Sequence, residues 1–275
     1  SSAASDVYKR QAVAVFVAVG SRMIRSGDGR TNKYDVEAGN NTYDNAVIEN
    51  SKISEKNKIQ NNQSMLDDIM NSTQYPKQLK DLALKNEEVL EFVYDYPAEH
   101  VKKHTIDLTE EASMDSVPLF VQWDKRWGYE KYSGNFFAAS GCGPTTLSMV
   151  VVYLTHNREA SPIAVAKYSK EAGYSVDGSG SSWTLISEGC MHYGVKAKTV
   201  ALDESRMKAE LDEGHPIVVN VGPGDFTDTG HFMVITGYDD EGFSINDPNS
   251  IEKSGKRWLF RNISSQIRAV WSMYV

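Results

Sequence analysis

Cysteine is nearly absent from this chain: its 275 residues include two, Cys142 and Cys190. Two are too few for a disulfide framework, and they form no CxxC pair; with no HExxH segment either, no metal site is expected. A phosphate-cradling P-loop and a dinucleotide fingerprint are missing, so no cofactor is expected. No block of Lys or Arg offsets the formal charge of −8, which argues against nucleic acid as a partner. An uncharged run near the start, Ala12 to Gly20, has nine residues, against ~20 needed to cross a bilayer. What remains, 40% hydrophobic and 24% charged, is the composition of a soluble globular protein of one or two domains.

The N-terminal third carries little patterning. Residues 1–11, "SSAASDVYKRQ", match the in-frame translation of a sequencing-library adapter, and are read as an artefact of a metagenomic assembly truncated upstream. Without them the chain carries −9. Residues 12–20 fit the remnant of a signal peptide or membrane anchor, or equally a small element packed on the domain. Residues 21–62 are polar, lack sustained periodicity, and are expected to form a mostly disordered linker. In residues 63–115, Met65, Leu66, Ile69 and Met70 recur at helical spacing. Short helices follow, with Pro76 in a first turn, Asn86 as a cap and Pro97 as a stop. They are expected to pack on residues 116–275.

That last region holds the chemistry. "SGCGPTT", residues 140–146, runs into apolar residues at Leu147, Val150, Val151 and Leu154, the spacing of a helix packed by one face. Cys142 then sits at a helix start, where orphan N–H groups and the dipole favour a thiolate nucleophile. Gly141 and Gly143 would let a substrate approach closely. The plain alternative is an inert cysteine capping a core helix.

A nucleophile needs a base, and the sequence offers six histidines. His100, His104 and His156 lie in polar stretches, His192 ends a helix-like segment, and His215 precedes the strand-like "IVVNV". His231 opens the strand-like "HFMVITGY" directly after the loop "GPGDFTDTG", where a rigid, half-exposed side chain is expected. "FSINDPNS" reads as the next strand, joined by the turn "YDDEG". Folding the hairpin at position 239 brings His231 nearly opposite Asp247, which could fix the imidazole tautomer. Asn246 would point to the other face.

In that order, "SGCGPTT", "GHFMVITGY" and "INDPNS" resemble the papain-like cysteine peptidases of the bacteriocin-processing, double-glycine leader type. The resemblance runs from about Val117 to the C-terminus. It is nearest to stand-alone, exported members from Gram-positive bacteria, and "YPKQL…NEEVLEFVYDYP" resembles the segment preceding the domain in them. It implies an α+β papain-like fold, with a nucleophile helix on an antiparallel sheet. It implies further that Cys142 is nucleophile, His231 base and then acid, and Asp247 the orienting acid. The family's oxyanion glutamine often lies six residues before the cysteine. Phe136 stands there, so Gln122 in "VQWDKRW" is assigned that role.

The expected function is therefore hydrolysis of a peptide bond through a thioester, on a peptide or protein substrate, by a monomer at the cell surface or outside the cell. A related amidase or transpeptidase acting on cell-wall peptides shares the same residues, and a binding module with little turnover is the alternative from another class. Trp183, in "GSGSSWTLI", is a candidate for the substrate cleft or else a core aromatic. Asp225 and Asp228 read as solvated loop residues, and Cys190 as a small core hydrophobe. A Cys142–Cys190 disulfide would block the nucleophile.

Overall fold

The computed structural model describes residues 41–275. The adapter-like residues 1–11, the apolar run 12–20 and residues 21–40 lie outside the described residues.

From Asn41 onward the expected linker is helical, and that expectation is corrected here. Helix α1 spans Asn41–Asn71. No Gly or Pro falls between Gly39 and Pro76, and Lys, Glu and Gln are good helix formers, so nothing interrupts the backbone. It left no periodic signal because residues 52–64 bury no hydrophobic side chain: Ile53 and Ile59 are 51% and 60% exposed. The C-terminal turns differ. Leu66 and Ile69 are buried with Leu79 and Ala83 of helix α2 (Lys77–Lys85) and with Val89, Leu90, Phe92 and Val93. Asn86 accepts from the Glu88 N–H and so caps a single 3-10 turn, Glu87–Val89, which runs into helix α3 (Leu90–Tyr94). Pro97 does not stop a helix. It sits in the first turn of Tyr96–Glu99, where a missing N–H goes unnoticed. Phe136 and Ala138 complete this small core, which ties the segment to the domain that follows.

The domain is built on one antiparallel sheet of six strands: β1 (Lys196–Thr199), β2 (Ile217–Val221), β3 (His231–Asp239), β4 (Gly242–Asn246), β5 (Arg257–Trp258) and β6 (Ile267–Tyr274). Their spatial order is β1-β6-β2-β3-β4-β5. One face, with Val218, Phe232, Val234 and Trp271, packs on helix α4 (Cys142–Thr155). The other, with Ile217, Val219, Met233 and Ile235, is covered by Met207 of helix α5 (Glu204–Asp212) and by Ile263. This is the expected α+β arrangement, a cysteine-bearing helix on an antiparallel sheet.

Helix α4 departs from the one-face expectation. Gly143 through Val152 are all buried, because Leu108, Phe120, Trp127 and Val165 enclose the side away from the sheet. Each fully buried Leu or Val there contributes about 1.5–3 kcal/mol through area removed from water. The helix that carries Cys142 is thus held on every side.

Candidate active site

A helical turn, Phe137–Ser140, leads through Gly141 into Cys142, the first residue of α4. The flanking glycines are needed for the chain's own packing. A Cβ on Gly141 would lie 2.6 Å from the Phe137 ring, and one on Gly143 would lie 2.6 Å from Ser181 Oγ. The close approach expected of a substrate at these two positions is therefore made by the protein itself. Thr146 Oγ1, one turn along, donates to the Phe232 carbonyl at 3.1 Å and latches the helix to β3.

Cys142 is half-buried. Burial pushes its thiol up, but hydrogen bonding to His231, the His231 charge and the backbone amides of Phe232 and Gly143 outweigh this. The net displacement is below the ordinary thiol value. Cys190 shows burial alone winning: its thiol is pushed up to about 11. Both thiols are free, so the disulfide considered above does not form.

His231 begins β3 and is 6% exposed, more enclosed than the half-exposed side chain expected. Asn220 Nδ2, from the neighbouring strand, donates to its carbonyl at 3.2 Å. Its Nε2 lies 2.7 Å from Asp247 Oδ1, and the Asp247 side chain is fully buried. A carboxylate can only accept, so Nε2 donates and Nδ1 is the nitrogen left for Cys142. Burial alone would lower the imidazole pKa; Asp247, and then Cys142, reverse that and raise it to about 10.

The hairpin does not fold at position 239. Asp239 pairs with Gly242, so the turn is centred later, on Asp240 and Glu241. A bulge at Thr236 then shifts the register by one, between the pairs Gly237–Ser244 and Ile235–Ile245. The final pair is Val234–Asn246. Extending it by one puts Asp247 opposite Met233, two residues from His231 and on its side of the strand, a diagonal neighbour. Asn246 points the other way, as expected, and donates from Nδ2 to the carbonyls of Val117 and Pro118 at 3.0 and 3.1 Å.

Residues 114–275, more than half of the chain, match the Peptidase_C39 like family. The chain belongs to that family. Among solved structures, it is similar to the peptidase domain of Streptococcus ComA, described as a bi-functional ABC transporter involved in a quorum sensing pathway. The identity is 19% over 57% of this chain and 96% of that one, with a TM-score of 0.42. It is also similar to a Bacillus anthracis protein provisionally described as a C39-like peptidase, at 17% identity over 58% of this chain and 95% of that one, with a TM-score of 0.36. No curated protein matches the chain significantly.

In this C39-like protein Gln122 is buried between the two halves of the site. Its backbone N–H donates to Pro248 O at 2.7 Å, its Nε2 donates to Ala138 O at 2.7 Å, and its Oε1 has no hydrogen-bond partner. Phe136 belongs to the small N-terminal core instead. Trp183 is no core aromatic: it is 47% exposed, edge-on to Trp271, two residues after Ser181. Ser181 itself ends the short hairpin Ser175–Val176 with Gly180–Ser181, which lies against Gly143.

The other histidines are occupied elsewhere. His156 bonds the Ala112 carbonyl through Nδ1, His192 stacks on Tyr168, and His215 contacts Glu210. Asp225, read as merely solvated, accepts from Gln266 Nε2, while its own N–H donates to Gln266 Oε1, both at 2.7 Å. That reciprocal pair fixes the loop leading to His231. Asn220, Thr146 and Gln266 had no sequence signal, because each acts through a carbonyl or loop brought near only by the fold. Among the described residues, no three His, Cys, Asp or Glu converge as a metal site, and no helix is long and apolar enough to cross a membrane.

Proposed function

We propose that this member of the family is a cysteine peptidase working through Cys142, His231 and Asp247. The observation that carries the reading is the 2.7 Å contact from His231 Nε2 to Asp247 Oδ1 in a buried setting, beside a thiol held below its ordinary pKa. Cys142 Sγ attacks the substrate carbonyl carbon, and a thioester forms as the amine leaves with a proton from His231. Water, deprotonated by His231, then hydrolyses the thioester. Asp247 holds the imidazole tautomer throughout. The Cys142 backbone N–H opens α4 and has no partner within the helix, so it can face the developing oxyanion. The second N–H of Gln122 Nε2 is the side-chain donor for the same charge.

On this reading the substrate is a peptide or protein. Trp183, exposed beside the wall formed by Ser181, supplies an apolar surface for it. The resemblance to stand-alone exported members supports a monomeric enzyme acting outside a Gram-positive cell.

The test is the pH dependence of Cys142 alkylation by iodoacetamide, with Cys190 as internal reference. Reaction at Cys142 well below pH ~8.5, with Cys190 silent and the advantage lost in His231→Ala, is the expected result. Equal reactivity of the two cysteines, or no effect of His231→Ala, would sink it and favour a binding module.

A further inference from the structure

The Asp247 carboxylate is weakly held for a group asked to orient another. Only Oδ1 is engaged, by His231 Nε2 and by the Asn249 N–H at 2.8 Å; Oδ2 is buried without a partner. Its direction is therefore set by the backbone of the turn it opens. Asp247 O accepts from the Ser250 N–H at 3.2 Å, and the Asp247 N–H donates to Ser254 Oγ at 2.9 Å.

That turn is gripped from far away in sequence. Asn86 Nδ2 donates to the Asn249 carbonyl at 2.9 Å. The Glu88 carboxylate accepts from Ser250 Oγ, from the Ile251 N–H at 2.7 Å and from the Glu252 N–H at 3.1 Å. Asn86 also caps the turn that presents Glu88, and the adjoining Val89 and Leu90 are buried in the small N-terminal core. Both gripping residues precede residue 114, where the match to the family begins.

We infer that Asn86 and Glu88 are positioning residues for Asp247, so that the helical segment before the family domain is a working part of the site. The inference rests on the Cys142–His231–Asp247 reading. Residues that only fastened the segment to the domain would affect stability alone. Residues that aim Asp247 would also change how His231 and Cys142 share a proton, since Cys142 and Asp247 are the titratable groups in contact with that ring.

The experiment is the iodoacetamide profile of Cys142 in the full chain, from acid to pH ~10, for wild type, Glu88→Ala, Asn86→Ala and Glu88→Gln. Thermal unfolding is followed alongside. Wild type should show two inflections, one for the thiol and one for the imidazole. In Glu88→Ala they should draw together by about one pH unit or more, with a smaller movement in Asn86→Ala. Glu88→Gln keeps one acceptor oxygen and should recover most of the separation. Met207→Ala, on the opposite face of the sheet, should lower the melting temperature without moving the profile. If Glu88→Ala does not fold, Asn86→Ala is read by the same criterion. Profiles superimposed on wild type, with only the melting temperature lowered, overturn the inference. A wild-type profile with no reactivity at low pH overturns it together with the peptidase reading, which separates the two failures.

Discussion

His231 and Asp247 meet at 2.7 Å although no ladder pair joins them. The register on the turn side of Thr236 would put Asp247 opposite Val234, pointing away from His231. The one-residue bulge at Thr236 restores the parity. Deleting Thr236 removes only the unpaired residue: the pairs Gly237–Ser244 and Ile235–Ile245 become adjacent, and Val234–Asn246 still sets Asp247 on the His231 side. The expected outcome is that the low-pH reactivity of Cys142 survives the deletion, as it should in Thr236→Val. Loss of that reactivity with little change in far-ultraviolet circular dichroism would show that the bulge itself, and not the register beyond it, sets the contact. As a comparison, Asp247→Asn presents the wrong partner without shifting the register and should slow turnover ~10³–10⁴-fold.

The two displaced pKa values fix the pH behaviour. The thiol lies below its ordinary value and the imidazole is raised to about 10, so the thiolate–imidazolium pair persists across the interval between them. Peptide hydrolysis should rise as Cys142 ionises, hold level through neutrality, and fall as His231 loses its proton near the upper value. Stability follows the same sign. A histidine whose folded pKa exceeds its unfolded value of ~6.5 stabilises fully below that value. That contribution fades as pH climbs toward about 10. The lowered Cys142 thiol titrates in the opposite sense, so the histidine's share is read without it: Cys142→Ala should lose melting temperature relative to the double variant Cys142→Ala/His231→Gln as pH climbs above ~6.5. A constant difference between the two proteins over that range would contradict the raised imidazole.

The core of the site was legible because its residues announce themselves locally. Cys142 lies between glycines at a helix start, and His231 and Asp247 sit near strand ends on either side of a turn-rich stretch. Alternation along each strand also separated Asp247 from Asn246. The bulge was not legible, since Thr236 is an ordinary β-branched residue in a strand-like run and shows nothing that marks it as extra. The hairpin folded at 239 still brought His231 close to Asp247 because the later turn and the bulge together displace the register by two residues, which preserves the face. Helix α1 was missed for a different reason. Periodicity reports burial, and a helix with Ile53 and Ile59 in solvent has none to report until Leu66. The grip of Glu88 on Ser250 and Ile251 joins positions more than 160 apart, which no local pattern can encode.

The glycines beside Cys142 make separable predictions. Gly141→Ala drives a methyl into the Phe137 ring, which is itself fully buried, so the strain should appear as a stability loss of about 1–3 kcal/mol. Gly143→Ala meets Ser181 Oγ and Cβ instead, at 2.6 and 2.8 Å, and Ser181 is hydrogen-bonded to Tyr132. It should push the Gly180–Ser181 hairpin outward and change the wall beside Trp183. Chemical denaturation of both variants, with alkylation of Cys142, resolves the two effects. Ser181→Gly should rescue Gly143→Ala and do nothing for Gly141→Ala. Failure of that rescue would mean that another contact limits the position.

Gln122 can act in two ways that one pair of reactions tells apart. Its hydrogen bonds to Pro248 and Ala138 tie the turn after Asp247 to the turn before Cys142, which is a structural service. Its remaining amide N–H is the proposed donor to an oxyanion. Alkylation by iodoacetamide is a displacement at saturated carbon and develops no oxyanion. Acylation by p-nitrophenyl acetate passes through a tetrahedral one. If the amide serves the transition state, Gln122→Ala should slow acylation by ~10²–10³, the usual effect of removing one such donor, while alkylation stays near wild type. If Gln122 is chiefly a tie, both reactions should fall together, because Cys142 and His231 would be misaligned before any carbonyl is attacked. The ratio of the two rates in the variant, measured at one pH on the plateau, therefore assigns the residue.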